Sequence, residues 1–135
     1  MSIAGIGTDI VAVERLGKFY QRHGQRALER LLAPDEREEF ARLAERNDPG
    51  RFLAKRFAAK EALGKALGIG VSPPATLTNS AVIHDARGRP AFAFAPPLAD
   101  WFEQRRLCAH LTISDERAYA VAFVVLETTC FNPRP

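Results

Sequence analysis

The sequence predicts an α+β fold in which an antiparallel sheet packs against a long central helix. Residues 51–67 carry the longest helical pattern of the chain, with apolar side chains recurring at helical spacing. Residues 76–128 change to alternating strands that short turns join into hairpins. A run of helices followed by hairpins favours an antiparallel sheet over the parallel sheet of alternating strand–helix units.

The pattern of the first half of the chain predicts one strand followed by four helices. The strand covers residues 3–13, which are rich in β-branched side chains, and Gly5 and Gly7 predict a bend or a close approach within it. Gly24 separates the first two helices, and Pro34 opens the third with acids in its first turn, where the helix dipole favours them. The predicted helices are 14–23, 25–33, 34–46 and 51–67.

The pattern of the second half predicts four strands and one helix. A turn at 86–89 joins the first two strands, and a turn at 115–117 joins the last two. The predicted strands are 76–85, 90–94, 108–114 and 118–128, and the predicted helix is 96–106. Because 135 residues leave no room for a second core, we expect a single domain over 1–127 and a C-terminal tail over 128–135.

Composition excludes several classes of protein. The chain is 47% hydrophobic and 26% charged, which is ordinary for a soluble domain and argues against disorder of the whole chain. No stretch approaches the ~18–20 apolar residues of a membrane helix, and the N-terminus lacks the pattern of a secretory signal. Cys108 and Cys130 are too few for a disulfide scaffold, so we expect a cytoplasmic protein. The net charge of +3 indicates an acidic partner.

Positive charge is concentrated on the helix at 51–67, where five basic residues and one acidic residue give a net charge of +4. Arg56 and Lys60 lie within the arc that carries the bulky apolar side chains. They must therefore extend to solvent, pair with acids or meet an anion at an interface. On the opposite side of the helix, a row of alanines would let another backbone approach close to Glu61 and Lys65.

Two carboxylates are candidates for a metal site. Asp9 lies in an apolar strand, where an unpaired carboxylate would cost several kcal/mol. Glu61 is the acid of the long helix, and a hard divalent cation such as Mg²⁺ takes oxygen ligands, often together with substrate phosphates. Two alternatives stay open: Asp9 caps a turn or pairs with a buried basic residue, and Glu61 forms an intrahelical ion pair with Lys65 at a spacing of four.

Two separated motifs carry a resemblance to a known family. The segment GIGTDIVAVERL at 5–16 contains the pattern G-x-D-[IL], and RFLAKRFAAKEALGKALG at 51–68 contains F-x-x-[KR]-[EW]A-x-x-K. Together they resemble the holo-[acyl-carrier-protein] synthase family, the small 4′-phosphopantetheinyl transferases. Partial matches at 88–90 and 110–114 extend the likeness over nearly all of residues 3–127.

The resemblance implies a specific reaction and assembly. The 4′-phosphopantetheine of coenzyme A moves to a serine of apo acyl carrier protein, and adenosine 3′,5′-bisphosphate is released. The family's reaction depends on Mg²⁺ and serves fatty acid biosynthesis. The resemblance also implies the 4′-phosphopantetheinyl transferase fold and a homotrimer whose coenzyme A clefts lie between subunits. Asp9, Glu61 and Lys65 would come from one chain, and His110 from its neighbour.

The resemblance also assigns roles to individual residues. Asp9, Glu61 and Lys65 are the expected catalytic residues; Asp9 and Glu61 hold Mg²⁺, and Glu61 takes the serine proton directly or through a metal-bound water. The expected coenzyme A contacts are Arg56, Lys60, Lys65, Gly68, Gly70 and His110. Many members have Gly-Thr-Gly where this chain has Gly-Ile-Gly at 68–70, so a hydroxyl is missing and backbone amides would have to serve. A purely structural histidine is the alternative for His110.

A basic stripe is expected to bind the acidic acyl carrier protein. Arg15, Lys18 and Arg22 recur on one face of the first helix, and Arg26 would extend the stripe beyond Gly24. Such contacts mainly raise the rate of association and are sensitive to salt. The alternative is an ordinary solvated basic face.

Other functions fit the sequence less well. The pattern GIG at 5–7 lacks the third glycine of a dinucleotide-binding fingerprint. A nucleic-acid-binding module would need exposed aromatic side chains among its basic residues, whereas Phe52 and Phe57 share the core arc. A non-catalytic subunit that only binds the carrier would not need both Asp9 and Glu61.

Overall fold

The structure is a computed structural model that describes residues 2–43 and 48–129. Its elements are β1 Ser2–Ala12, α1 Val13–His23, α2 Gln25–Leu31, α3 Pro34–Leu43, α4 Pro49–Leu67, β2 Ser80–His84, β3 Pro90–Phe94, α5 Pro96–Gln104, β4 Leu107–Asp115 and β5 Tyr119–Thr128. The α+β class that the sequence predicts is therefore confirmed. The end of the predicted helix 34–46 and the tail beyond residue 129 lie outside the described residues. None of the described helices has the length and apolar character to cross a membrane.

The described strands form two antiparallel sheets. The larger sheet has the order β1-β5-β4, and β2 pairs with β3 in a separate hairpin. Alternate residues of β5, from Ala120 to Leu126, are buried on the face that packs against α4, which we call the inner face. The residues of β5 that alternate with these point to the opposite, outer face, among them the exposed Tyr119 and Phe123. The sheet therefore has one face covered by α4 and one apolar face that is exposed in the single chain.

Two glycines let β1 lie directly against α4. A methyl group on Gly5 would overlap the carbonyl oxygen of Ala66, and one on Gly7 would overlap that of Ala62. The close approach predicted at residues 5–7 is therefore confirmed, and its partner is the alanine row of the long helix. Asp9 lies on the same inner face, because it follows Gly7 by two residues in the strand. This contact brings Asp9 to the side of α4.

A buried carboxylate joins α3, α4 and β2. Glu36 is the third residue of α3, and its Oε1 accepts hydrogen bonds from the backbone N–H of Ala33 at 2.9 Å and from the Lys60 ammonium at 2.5 Å. Its Oε2 accepts the backbone N–H of Val82 at 2.9 Å and lies 3.7 Å from the Arg56 Nε. Glu36 was not among the residues predicted from the sequence, although a glutamate at the third helical position is a known signal of an N-terminal cap.

Several element boundaries differ from the prediction. The strand predicted at 76–85 begins only at Ser80, because the preceding residues form a turn in which the backbone N–H of Asn79 donates to the carbonyl of Thr76 at 3.1 Å. The long helix begins two residues earlier than predicted, because the Asp48 carboxylate caps it by accepting a backbone hydrogen bond of 2.9 Å. The second and fifth helices each end two residues early.

Candidate active site

Asp9 and Lys65 meet where β1 lies against α4. The Lys65 ammonium donates hydrogen bonds to the Asp9 Oδ1 at 3.1 Å and to the backbone carbonyl of Thr8 at 2.9 Å. The Asp9 side chain is 17% exposed and that of Lys65 is 54% exposed, so the pair opens to solvent. Among the described residues, Lys65 pairs with Asp9 and not with Glu61. Asp9 thus has a basic partner, as its place in an apolar strand requires.

Glu61 lies one turn before Lys65 on α4. Partial burial raises the pKa of the Glu61 carboxyl, and the negative charge of Asp9 raises this pKa further. The positive charges of Lys65 and Arg15 lower it but do not cancel the shift. The two carboxylates are therefore close enough for one charge to act on the other. Two oxygen donors that repel each other fit a hard divalent cation, which would relieve the repulsion.

The strand and the helix thus bring together the three residues that the resemblance marks as catalytic. Asp9 comes from β1, while Glu61 and Lys65 are four residues apart on α4 and share one face. The glycine–alanine contact between the two elements sets their spacing. Two carboxylates and an amine, partly open to solvent, can bind a cation, contact a phosphate oxygen and accept a proton.

Lys60 is buried inside the fold, although it was predicted to contact coenzyme A. Its side chain is 1% exposed, and its ammonium donates to the Glu36 Oε1. It also donates to the carbonyl oxygens of Leu31 at 2.9 Å and Leu77 at 2.7 Å. All three ammonium hydrogens are used, so no donor is left for a phosphate. The prediction that Lys60 contacts coenzyme A is therefore not met; pairing with an acid is how the fold accommodates this charge within the apolar arc.

Arg56 is also buried, but it lines a cleft that carries both basic and acidic side chains. Its guanidinium pairs with Glu39 at 3.3 Å and lies 3.6 Å from the centroid of the Phe52 ring. Burial lowers the pKa of Arg56, and the charge of Glu39 opposes this shift. The cleft has a volume of about 180 Å³ and further cationic or titratable lining residues, namely Arg51, Lys55 and His84. These three residues were not singled out as contacts from the sequence, and Arg56 stays a predicted phosphate contact.

The two glycines after α4 use their amides to end the helix. Gly68 has a φ of 78°, and its N–H donates to the carbonyl of Lys65 at 3.1 Å. The N–H of Gly70 donates to the carbonyl of Gly64 at 3.0 Å. Both amides therefore have partners within the chain. The expectation that the amides of Gly68 and Gly70 bind a phosphate is not met in this structure, because helix termination needs the same donors.

His110 does not meet the other predicted site residues within one chain. It lies on β4 and points to the outer face, where its side chain is 57% exposed and its Nε2 is 3.1 Å from the Glu127 Oε1. Asp9 lies on β1, at the opposite edge of the sheet, and faces α4. The sheet itself therefore separates His110 from Asp9, and only a second chain could bring such a histidine to the site.

The predicted basic stripe is exposed along α1. Arg15, Lys18 and Arg22 are all exposed, and Lys18 forms an ion pair with Glu14 at 3.0 Å. Arg15 is the member that adjoins the site, since its positive charge lowers the pKa of Glu61. Arg26 is exposed on α2, beyond a glycine with a φ of 56° at which the chain changes direction. Arg26 therefore belongs to a second helix and not to a continuation of the first.

A hollow between α1 and α4 borders this stripe. It has a volume of about 340 Å³ and mostly apolar lining residues with two arginines, namely Arg15, Leu16, Phe19, Arg30, Leu31, Phe57 and Leu77. The Arg15 guanidinium lies 5.4 Å from the centroid of the Phe57 ring. A concave apolar surface rimmed by cations is suited to a partner with an amphipathic, acidic surface.

Known proteins are similar to this chain over a region that includes both motif segments, 5–16 and 51–68. The model of the 4′-phosphopantetheinyl transferase superfamily matches residues 5–124. A holo-[acyl-carrier-protein] synthase of Dechloromonas aromatica is 57% identical over 125 residues, which are 93% of this chain and 98% of the relative. Both Asp9 and the Glu61–Lys65 pair lie inside the matched region.

Solved structures show the same fold. The crystal structure of a holo-[acyl-carrier-protein] synthase from Neisseria meningitidis superposes with a TM-score of 0.87 at 41% identity, covering 93% of this chain and 99% of the other. A holo-(acyl-carrier-protein) synthase from Bacillus anthracis, solved in complex with CoA (3′,5′-ADP), gives a TM-score of 0.79 at 34% identity and covers 94% of this chain and 98% of the other. The similarity therefore extends over whole chains.

Proposed function

The chain belongs to the 4′-phosphopantetheinyl transferase superfamily, and we propose that it transfers 4′-phosphopantetheine from coenzyme A to a serine of apo acyl carrier protein. The products are holo carrier protein and adenosine 3′,5′-bisphosphate. The observation that carries the proposal is the meeting of Asp9, Glu61 and Lys65 at the contact of β1 with α4. We further propose that the reaction takes place in the cytoplasm and serves fatty acid biosynthesis.

Asp9 and Glu61 are the residues that would hold Mg²⁺. Their carboxylates supply hard oxygen donors; burial raises the pKa of Glu61, and the charge of Asp9, which a cation would offset, raises it further. When bound, the ion supplies positive charge against the pyrophosphate of coenzyme A. Lys65 supplies a second positive charge from the same side, because its half-exposed ammonium can turn from Asp9 to a phosphate oxygen.

Glu61 is the proposed acceptor of the serine proton. A raised pKa makes its carboxylate a better base than an ordinary glutamate, while partial exposure leaves it accessible to the carrier. The serine oxygen forms a bond to the phosphorus that carries pantetheine, and the bond from that phosphorus to the bridging oxygen breaks. The leaving bisphosphate carries away the electron pair of the broken bond, and Lys65 stabilises the negative charge that develops there.

Arg56 is the proposed contact for the 3′-phosphate of coenzyme A. It lies five residues before Glu61 on α4, which separates the two by about 7–8 Å along the helix axis. The cleft beside it is also lined by Arg51 and Lys55, which could contact a phosphate that is distant from the pyrophosphate. Both cations pair with Asp115, and Glu39 and Asp48 also line the cleft, so a phosphate bound there would compete with these carboxylates. Lys60 has no part in this proposal, because its donors are used inside the fold.

We propose that the active molecule is a homotrimer joined through the outer face of the sheet. Ile6, Ile10, Tyr119 and Phe123 are exposed on this face in the single chain, and an apolar surface of this kind favours burial against another copy. His110 lies on the same face, so that it would complete the coenzyme A site of a neighbouring chain. The observation that His110 and Asp9 are on opposite faces supports this arrangement.

The trimer is tested by a charge on its proposed interface. Ile10→Asp places a carboxylate in the apolar outer face and is expected to give monomers with reduced transfer activity. Sedimentation velocity measures the molecular mass, and Arg89→Glu, on the exposed turn between β2 and β3, is the control that should leave the trimer intact. A trimer that persists in Ile10→Asp would place the interface elsewhere.

The function is tested by a reconstituted reaction. Purified chain is mixed with coenzyme A, an apo acyl carrier protein and Mg²⁺, and the carrier is weighed by mass spectrometry. We expect the carrier to gain one phosphopantetheine with release of adenosine 3′,5′-bisphosphate, and we expect EDTA to abolish the gain. A carrier whose acceptor serine is replaced by alanine is the control. No gain with any carrier offered, together with tight binding of RNA, would favour the nucleic-acid alternative.

A further inference from the structure

Three metal-binding side chains cluster at one end of the outer face, apart from the proposed catalytic residues. Cys108 and Glu127 are directly opposite each other in the pairing of β4 with β5, and His110 is two residues beyond Cys108 on the same face. Within residues 2–43 and 48–129, the Cys108 thiol forms no disulfide. The register of β4 against β5 therefore places a thiol, an imidazole and a carboxylate close together.

The distances within this cluster match the spacing of ligands around a tetrahedral zinc ion. The Cys108 Sγ is 3.6 Å from the His110 Nε2, and this nitrogen is 3.1 Å from the Glu127 Oε1. The three ligand atoms all lie within 4.8 Å of one another. Zinc bonds of about 2.3 Å to sulfur and about 2.0–2.1 Å to nitrogen or oxygen set ligand separations of about 3.5 Å and about 3.3 Å in a tetrahedron. Little movement is needed to enclose an ion.

We propose that Cys108, His110 and Glu127 form a binding site for a zinc ion. The ligand set is chemically distinct from the carboxylate pair of Asp9 and Glu61, because a thiolate and an imidazole favour zinc over magnesium. A Cys-His-Glu set with Zn²⁺ is electrically neutral once the thiol loses its proton. Three protein ligands leave the fourth position of a tetrahedral ion open to water or another small ligand.

The site has a consequence for activity, and this consequence rests on the function proposed above. His110 is the residue that we expect to contact coenzyme A bound at a neighbouring chain. A zinc ion bound to the His110 Nε2 would make that nitrogen unavailable to coenzyme A. Zinc is therefore expected to lower the rate of phosphopantetheine transfer, and Cys108→Ser is expected to keep its basal rate and to resist zinc.

The direct test uses Co²⁺ as a spectroscopic substitute for zinc, with the full chain and no substrate. Titration should produce a thiolate-to-cobalt charge-transfer band with one ion per chain, and Zn²⁺ but not excess Mg²⁺ should displace it. Cys108→Ser should abolish the band. Glu127→Gln should weaken zinc binding by at least about 10–100-fold, the loss that follows removal of even an outer partner of a metal site.

Two variants serve as matched controls. His23→Ala removes another histidine of the surface, and Cys130→Ser removes the other cysteine; both should retain the band. The proposal is overturned if the wild-type chain gives no band, if the band survives Cys108→Ser, or if it is lost in Cys130→Ser and kept in Cys108→Ser. A chain that binds cobalt through Cys108 but is not inhibited by zinc retains the metal site and contradicts the role proposed for His110 in transfer.

Discussion

Two clusters of charge on the same helix differ in almost every physical respect. In the middle of α4, Arg56 and Lys60 are buried around Glu36, and the Lys60 ammonium has three acceptors. One turn further along, Glu61 and Lys65 meet Asp9 at the edge of solvent. In the first cluster opposite charges are matched inside the fold, whereas in the second a carboxylate pair stays imperfectly neutralised.

This difference separates a structural cluster from a reactive one. A buried charge is tolerated when its hydrogen bonds are satisfied, and the Lys60 ammonium, whose three hydrogens all have acceptors, has nothing left to offer a ligand. A partly exposed carboxylate with a raised pKa keeps both access and a reason to bind a cation or a proton. Neighbouring residues Lys60 and Glu61 thus have opposite roles, since their side chains leave the helix in different directions.

We expect the largest effect from Glu61→Gln, which should lower the rate of transfer. The amide keeps the shape of the side chain but loses its charge and its ability to take the serine proton, so transfer should fall about 10²–10⁴-fold. Mass spectrometry of the carrier measures the rate, and Glu14→Gln, an exposed acid of α1, is the control that should stay near the wild-type rate. An active Glu61→Gln enzyme would contradict both the metal and the proton assignments.

The buried cluster should instead control stability. Lys60→Met leaves the Glu36 carboxylate without its closest cation and should lower the free energy of unfolding by about 3–5 kcal/mol. Urea denaturation measures this loss. Lys18→Met removes an exposed lysine paired with Glu14 and should change the free energy by less than about 0.5 kcal/mol. Full stability with lost transfer in Lys60→Met would return Lys60 to a phosphate-binding role.

A smaller effect is expected from the basic stripe of α1, which lies outside both clusters. Arg22→Glu should lower kcat/KM for the acyl carrier protein about tenfold at low salt, with the difference shrinking as salt screens the charges. Arg89→Glu, which reverses an exposed charge beside Asp85, is the matched control. If both variants behave alike, α1 is not the docking surface for the carrier.

The smallest effect is the contribution of Glu61 to the dependence of stability on pH. Because its folded pKa is raised, Glu61 binds a proton more tightly in the folded chain than in the unfolded chain. Its contribution to stability is therefore present below the unfolded pKa of about 4.3 and is lost as pH rises through the folded pKa. In EDTA, Glu61→Gln should gain thermal stability relative to wild type as pH rises through this window. A difference in melting temperature that stays constant across the window would show that the pKa of Glu61 is not raised in the folded chain.

Much of the architecture could be predicted because it depends on local patterns. The period of apolar residues marks α4, and glycines at 5 and 7 with a row of alanines predict the close packing that the structure confirms. Asp9 was recognisable as an acid in an apolar strand, and Glu61 and Lys65 by their spacing and by the family motif. These signals lie within short windows of sequence, in which backbone geometry alone decides which side chains share a face.

Contacts between distant segments were beyond such patterns. The Glu36 partner of Lys60 is 24 positions away in the chain, and the Glu127 partner of His110 is 17 positions away. A helical wheel showed only that Lys60 lay in the apolar arc and needed a partner, without identifying it. Nor does the sequence show that the amides of Gly68 and Gly70 donate to the carbonyls of Lys65 and Gly64 at the end of α4.

The sequence by itself determined the fold class, the long helix and the family. It also singled out Asp9, Glu61 and Lys65 as candidate catalytic residues. Only the tertiary structure decided that Lys60 is enclosed, that Asp9 binds Lys65, and that His110 lies across the sheet beside Cys108 and Glu127. The reason is physical. Periodicity fixes the face on which a side chain lies, whereas the partner on that face depends on strand register and on the burial of elements that are far apart in sequence.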